Sequence, residues 1–178
     1  MRSKNWNTAL TGLLLAPIPL VARAEIYLTE TQAAAVLFPG IQMEPRVMTL
    51  SSDEIKQIKK AKNNDQGLKP NVRVFWGPHK EALFIDTVLG KHEFITYAVA
   101  IDFPGQVKGI EIMDYRETYG YQIRDKEWRK TFVGKTPKDP LKLDKDIPNI
   151  SGATLSSKHV TDGVRRVLQT YEIFKDRI

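Results

Sequence analysis

The 178-residue chain contains no cysteine. That excludes a disulfide framework, a lipid-modified cysteine at a processing site, iron–sulfur ligation and thioether-attached haem. Any redox chemistry would have to come from a bound cofactor. Histidine is scarce: His79, His92 and His159 lie far apart, with no carboxylate at a ligand spacing, so no metal site is expected. No dense Lys/Arg run interleaved with aromatics occurs, which argues against a nucleic-acid partner. The glycines mark turns and form no G-x-G-x-x-G fingerprint, so direct use of a nicotinamide donor is not expected. No paired catalytic acid and base stands out. Repeats, low-complexity tracts and linkers are absent too. The one mostly apolar run, residues 9–21, is short and broken by Pro17 and Pro19, which disfavours a membrane-spanning helix.

What is present begins with a leader. Arg2 and Lys4 precede that apolar run, and "ARA" ends at Ala24 with small residues at both ends of the triplet. This is the pattern of a secretory signal peptide over residues 1–24, cleaved before Glu25, with an uncleaved N-terminal anchor as the alternative. Residues 25–178 would then form a single domain outside the cytoplasm, in the periplasm, long enough for a real core. The whole chain carries 27 basic and 21 acidic residues, a net charge of +6. Three of the basic residues belong to the leader, so the mature chain holds 24 against 21, a net +3.

The mature chain predicts an α+β domain. "LTETQAAAVLFPG" reads as a helix with a Thr29–Gln32 capping box, stopped by Pro39-Gly40. "LSSDEIKQIKKAKNNDQG" reads as a second helix, with Ser51 and Glu54 at the same spacing and Ile55 and Ile58 as a narrow apolar stripe. Its lysines, Lys56, Lys59, Lys60 and Lys62, are expected to be solvated, with a docking role as the alternative. An antiparallel meander follows: "NVRVFW", "EALFIDTVL", "HEFITYAVAID" and "VKGIEIMDY". Ile95, Tyr97, Val99 and Ile101 share one face, as do Ile110 and Ile112. The alternation predicts one packed and one wetter face, with the flanking helices covering the packed one.

After the meander come "YRETYGYQIRDKEWRKTFVGK" and then "DIPNISGATLSSKHVTDGVRRVLQTYEIF". The latter opens as a loop of small and hydroxylated residues and continues as an amphipathic helix. Val160, Val164, Val167, Leu168 and Tyr171 form its apolar face, with Arg165, Arg166 and Gln169 opposite. Ser156 or Ser157 is the expected N-cap, with Ser151, Gly152 and Thr154 just before it. A helix start offers free N–H groups and a positive dipole end, which suits a phosphate. Gly152 and Ala153 keep the approach clear of bulk.

The "SGAT" followed by "LSS" and a helix resembles the flavinylation motif of the FMN-binding domain family. That family includes the periplasmic flavin-carrying subunits of the Rnf complex and of sodium-translocating NADH:quinone reductase. The resemblance extends over roughly residues 83–168. It includes a Glu-Thr loop, matched here by Glu117, Thr118 and Gly120, and then Trp128, Phe132, Gly134 and Lys135 in the family's order. Tyr115 and Tyr119 stand where that pattern carries His and Pro. Pro148 stands three residues before Ser151 where the family has Asp, and the nearest acid is Asp146.

The resemblance implies FMN, linked through its phosphate to Thr154. Ser151, Gly152 and Ala153 would shape the loop, and the amides of Thr154, Leu155 and Ser156 would face the phosphate. Glu117, Thr118 and Tyr119 would lie by the ring or ribityl chain, with Gly120 giving their loop its conformational freedom. Among the four hydroxyls of "SGATLSS", capping by Ser156 and Ser157 and a turn role for Ser151 also leave Thr154 free. Lys135 or Lys91 is either a counter-charge to the phosphate or an exposed lysine. Trp76 and Trp128 read as core residues, with a stacking role beside the flavin as the alternative. His92 reads as either a flavin neighbour or a turn histidine.

The functional expectation is a periplasmic electron carrier serving a membrane redox complex or another periplasmic carrier. A flavin transferase would attach the cofactor. The alternatives are a flavin-dependent reductase of a small molecule with non-covalent FMN, and a cofactor-free secreted binding module.

Overall fold

The computed structural model describes residues 25–62 and 68–177. The expected signal peptide, residues 1–24, lies outside the described residues. The elements in chain order are β1 Glu25–Ile26, α1 Glu30–Leu37, β2 Glu44–Thr49, α2 Ser52–Lys62, β3 Asn71–Trp76, β4 Ala82–Leu89, β5 Phe94–Asp102 and β6 Gln106–Tyr115. A 3-10 turn, Tyr121–Arg124, α3 Lys126–Lys130 and α4 Thr154–Phe174 complete them. The class is α+β, as the sequence predicts.

The two capping boxes form as read. Gln32 N donates to Thr29 Oγ1 at 3.2 Å and Thr29 N to Gln32 Oε1 at 2.8 Å. Glu54 N donates to Ser51 Oγ at 3.3 Å and Ser51 N to Glu54 Oε2 at 2.7 Å. Each box satisfies two donors that a helix start otherwise leaves without partners.

All strands join one antiparallel sheet in the order β1-β6-β5-β4-β3-β2. β3 to β6 are the four strands of the predicted meander. The two edge strands, β1 and β2, escape the sequence reading. β2 is "EPRVMT", exposed at five of its six positions and carrying Pro45, so it shows no apolar alternation. A proline and charged side chains are what an edge strand tolerates.

The expectation of one wet face is corrected. Both faces of the sheet are packed, and the helices lie on opposite sides. Ile95, Tyr97, Val99, Ile101, Ile110 and Ile112 meet the apolar stripe of α4 in the main core. Phe75, Leu83, Ala98, Ala100 and Met113 pack against Ala33, Ala34, Leu37 and Phe38 of the α1 segment. The alanines of β5 read as a wetter face because they are small. Their size is what lets a helix lie close to the sheet. Gly109 serves the same end, since a Cβ there would come 2.9 Å from Leu37 Cδ2.

Arg166 is the second correction. Helical periodicity puts it on the polar face of α4, but it is 4 % exposed. Its guanidinium pairs with Asp86 of β4, whose carboxylate also accepts the Tyr97 hydroxyl. Gly163 makes room for this group: a Cβ there would lie 1.8 Å from the Tyr97 hydroxyl oxygen. Burial, and then the Asp86 charge, push the Tyr97 phenol well above its ordinary pKa. The pair ties the helix to the centre of the sheet and so fixes where the N-terminus of α4 emerges.

Candidate functional site

The "SGAT" loop turns at Gly152, whose φ of +81° suits glycine. A Cβ there would meet nothing within 4 Å, so the conformation and not crowding calls for glycine. Ala153 N donates to Ile150 O at 3.0 Å and closes the turn. The helix then begins at Thr154, with Ala153 at the N-cap position and no side-chain cap.

The expected cap at Ser156 or Ser157 is therefore wrong. Both serines lie inside the first turn and are buried, at 3 % and 0 % exposed. Ser157 Oγ donates to Ala153 O at 3.0 Å, a back-bond to the preceding turn. The left-handed Gly152 drives the chain into the helix three or four residues early. The first N–H groups of a 21-residue helix, those of Thr154, Leu155 and Ser156, consequently have neither an intrahelical acceptor nor a capping side chain. Of the four hydroxyl residues in the loop, only Ser151 and Thr154 are exposed.

The Glu-Thr loop reaches this helix start from the end of β6. The Tyr115 hydroxyl donates to Tyr119 O. Burial raises the Tyr115 phenol's pKa, and its hydrogen bond with Ser156 offsets part of that rise. Gly120 follows at φ +90°. A Cβ on Gly120 would lie 2.5 Å from Ala153 Cβ and 2.7 Å from the Tyr115 hydroxyl, so only glycine lets the two loops touch.

Glu117 joins a third segment. Its Oε1 accepts the backbone N–H of Lys91, of His92 at 2.7 Å and of Glu93 at 3.2 Å. Gly90 leaves space for that oxygen, 2.4 Å from where its Cβ would be. Burial pushes the Glu117 carboxyl up, but the three backbone donors outweigh it and hold its pKa below the ordinary 4.5. A carboxylate with a depressed folded pKa stabilises the fold above its unfolded value. That contribution is lost as pH falls through the folded value.

The three segments enclose a cleft of 570 Å³, within the ~300–1,000 Å³ of small-molecule and cofactor sites. Of the ten predicted site residues, eight line it: Glu117, Thr118, Tyr119, Gly152, Ala153, Thr154, Leu155 and Ser156. Ser151 and Gly120 shape the loops beside it without lining it. Lys91 and His92 line it as well, so Lys91 and not Lys135 is the lysine on the cleft. Lys135 is held by Asp146 at 2.9 Å. Asp146 also accepts the N–H groups of Leu141 and Lys142, and so is committed to holding its own turn. Trp76 and Trp128 are core residues, 4 % and 6 % exposed. Trp128 Nε1 donates to Pro148 O at 2.8 Å and steadies the approach to the "SGAT" loop.

The donor set fits a phosphorylated aromatic cofactor: uncapped amides at a helix start, an exposed hydroxyl among them, and apolar Tyr119 and Leu155 alongside. The turn at residues 90–93 is the part that sequence reasoning does not assign as a support for the site. Its signal is Gly90, ahead of three consecutive amides.

Comparison with curated proteins and with solved structures returns no match for this chain. Residues 90–169 match the model of the FMN-binding domain family. That span begins at the turn that Glu117 holds and ends within α4, so it takes in every segment of the cleft. Residues 90–169 are thus similar to an FMN-binding domain, which supports flavin binding at this cleft.

Proposed function

We propose that the protein is an exported, single-domain electron carrier whose FMN is joined through its phosphate to Thr154 Oγ1. The observation that carries this reading is Thr154 itself, an exposed residue that is first in an uncapped helix and lines the cleft. A phosphate there is favoured by ~0.3–1 kcal/mol at an exposed helix end. That energy positions the phosphate and does not make the bond. Bond formation needs a flavin transferase and an activated flavin donor. The Thr154 oxygen takes the phosphorus, the bond to the donor's leaving group breaks, and the hydroxyl proton is given up.

When bound, FMN accepts one or two electrons. The residues of this chain hold and surround it. Thr154, Leu155 and Ser156 offer amides to the phosphate, Lys91 adds positive charge, and Glu117 fixes the turn on which Lys91 and His92 ride. The Glu117 carboxylate is engaged by three backbone donors, which leaves it poorly placed as a general acid or base. This, with the missing dinucleotide fingerprint, favours a carrier over a reductase with its own substrate. A tethered cofactor also suits a compartment where a dissociating one would be diluted away. The partner in this reading is a membrane redox complex or another periplasmic carrier.

Protein exported by its own host tests the reading. It should begin at Glu25, fractionate with the periplasm, and show after denaturation the mass of the chain plus one FMN less one water. Its colour should bleach and return with chemical reductant and oxidant. A denatured mass equal to the bare mature chain would sink the covalent reading, and a chain starting at Met1 in membranes would mean an anchor. Within the same protein, Glu117→Gln should raise the flavin potential, because a fixed negative charge beside the cleft opposes electron uptake there. An unchanged potential would put this carboxylate out of electrostatic reach of the ring.

A further inference from the structure

Tyr119 combines a fixed backbone with a bare side chain. Its carbonyl is held by the Tyr115 hydroxyl, and the next residue, Gly120, is pressed against Ala153. Yet the residue is 79 % exposed. Its ring makes no hydrogen bond, ring contact or cation contact among the described residues. It lines the same cleft as Thr154, in company with Leu155, which is 44 % exposed. A large apolar ring on a rigid loop loses little conformational freedom when something covers it. Its faces suit an offset-stacked aromatic partner.

We propose that Tyr119 stacks on the isoalloxazine ring and sets its orientation relative to Thr154. This positioning role rests on the covalent reading above. A ring tethered at Thr154 stays beside the cleft whatever its orientation, so one fixed aromatic neighbour is enough to select among its orientations. Leu155 supplies a second apolar surface next to the tether. The residue that the resembled pattern carries at this position, proline, has no π face, so the platform is a property of this chain.

The test uses flavin-loaded protein exported from its own host, in wild-type, Tyr119→Leu and Tyr119→Phe forms. A phenol in contact with an excited flavin quenches it by passing an electron to it and taking it back, with no net change. Leucine and phenylalanine do not donate in this way. Folded wild-type protein should be weakly fluorescent, and both variants several-fold brighter at equal flavin content. All three should emit equally once denatured. The visible circular dichroism of the flavin should survive in Tyr119→Phe, which keeps a stacking ring, and change in Tyr119→Leu. Flavin-loaded proteins with equal emission when folded would overturn the stacking alone and leave Tyr119 as a contact for another protein. Wild-type protein without flavin after denaturation would overturn the covalent reading and this one with it.

Discussion

Thr154→Ala protein, exported from the same host as the wild type, should fold normally and carry no flavin after denaturation. The loss should be complete, because the variant has no oxygen at the position the phosphate would occupy. Stability should change by no more than about 0.5 kcal/mol, since the residue is exposed at the first position of α4. Alanine is also the better helix former. Ser156 and Ser157 cannot readily replace the lost hydroxyl, because both are buried. Ser151 is the exposed competitor. Flavin that persists in Thr154→Ala would move the link there and overturn the assignment. Thr154→Ser restores a hydroxyl at the same position and should recover labelling, which separates loss of chemistry from loss of fold.

Asp86→Ala should destabilise the fold more than any of the changes at Glu117, Tyr119 or Thr154. It removes the carboxylate from a guanidinium whose side chain is 3 % exposed and takes the acceptor from the Tyr97 hydroxyl. Breaking one side of a buried pair costs about 3–5 kcal/mol. That is a large share of the ~5–15 kcal/mol by which domains are stable. Urea denaturation of the flavin-free protein would measure it. A loss under about 1 kcal/mol would mean that the guanidinium finds other compensation or water. Replacing the pair together, Asp86→Leu with Arg166→Met, should cost clearly less than Asp86→Ala alone, because no buried charge is left behind.

Local signals in the sequence prove dependable where the physics is local. The capping boxes at Thr29–Gln32 and Ser51–Glu54 and the meander from Asn71 to Tyr115 form as read. Errors arise where a residue's surroundings come from distant chain. Ala98 and Ala100 read as a wetter face because no local pattern reveals that α1 covers them. Arg166 reads as solvent-facing because its partner, Asp86, lies 80 residues away. β2 is invisible because an edge strand with exposed side chains has little period-2 signal. The start of α4 is misjudged when serine's preference for caps is weighed above the turn set by Gly152.

The candidate site is legible through two motifs, around Glu117 and around Thr154, whose residues line one cleft. Geometry adds how they meet: Gly120 against Ala153, and the Glu117 carboxylate across to the amides of Lys91, His92 and Glu93. That last contact spans 24 to 26 residues of chain and involves backbone donors, which every sequence possesses and none advertises.

The central claim is that one defined oxygen of this cleft carries the cofactor. Fragmentation mass spectrometry of wild-type protein, digested after export from its own host, addresses it directly. The peptide spanning "DIPNISGATLSSK" should carry one FMN less one water, and the fragments should locate it on Thr154, with Ser151, Ser156 and Ser157 unmodified. A modified Ser151, or a peptide without flavin from protein that is yellow before denaturation, would contradict the account.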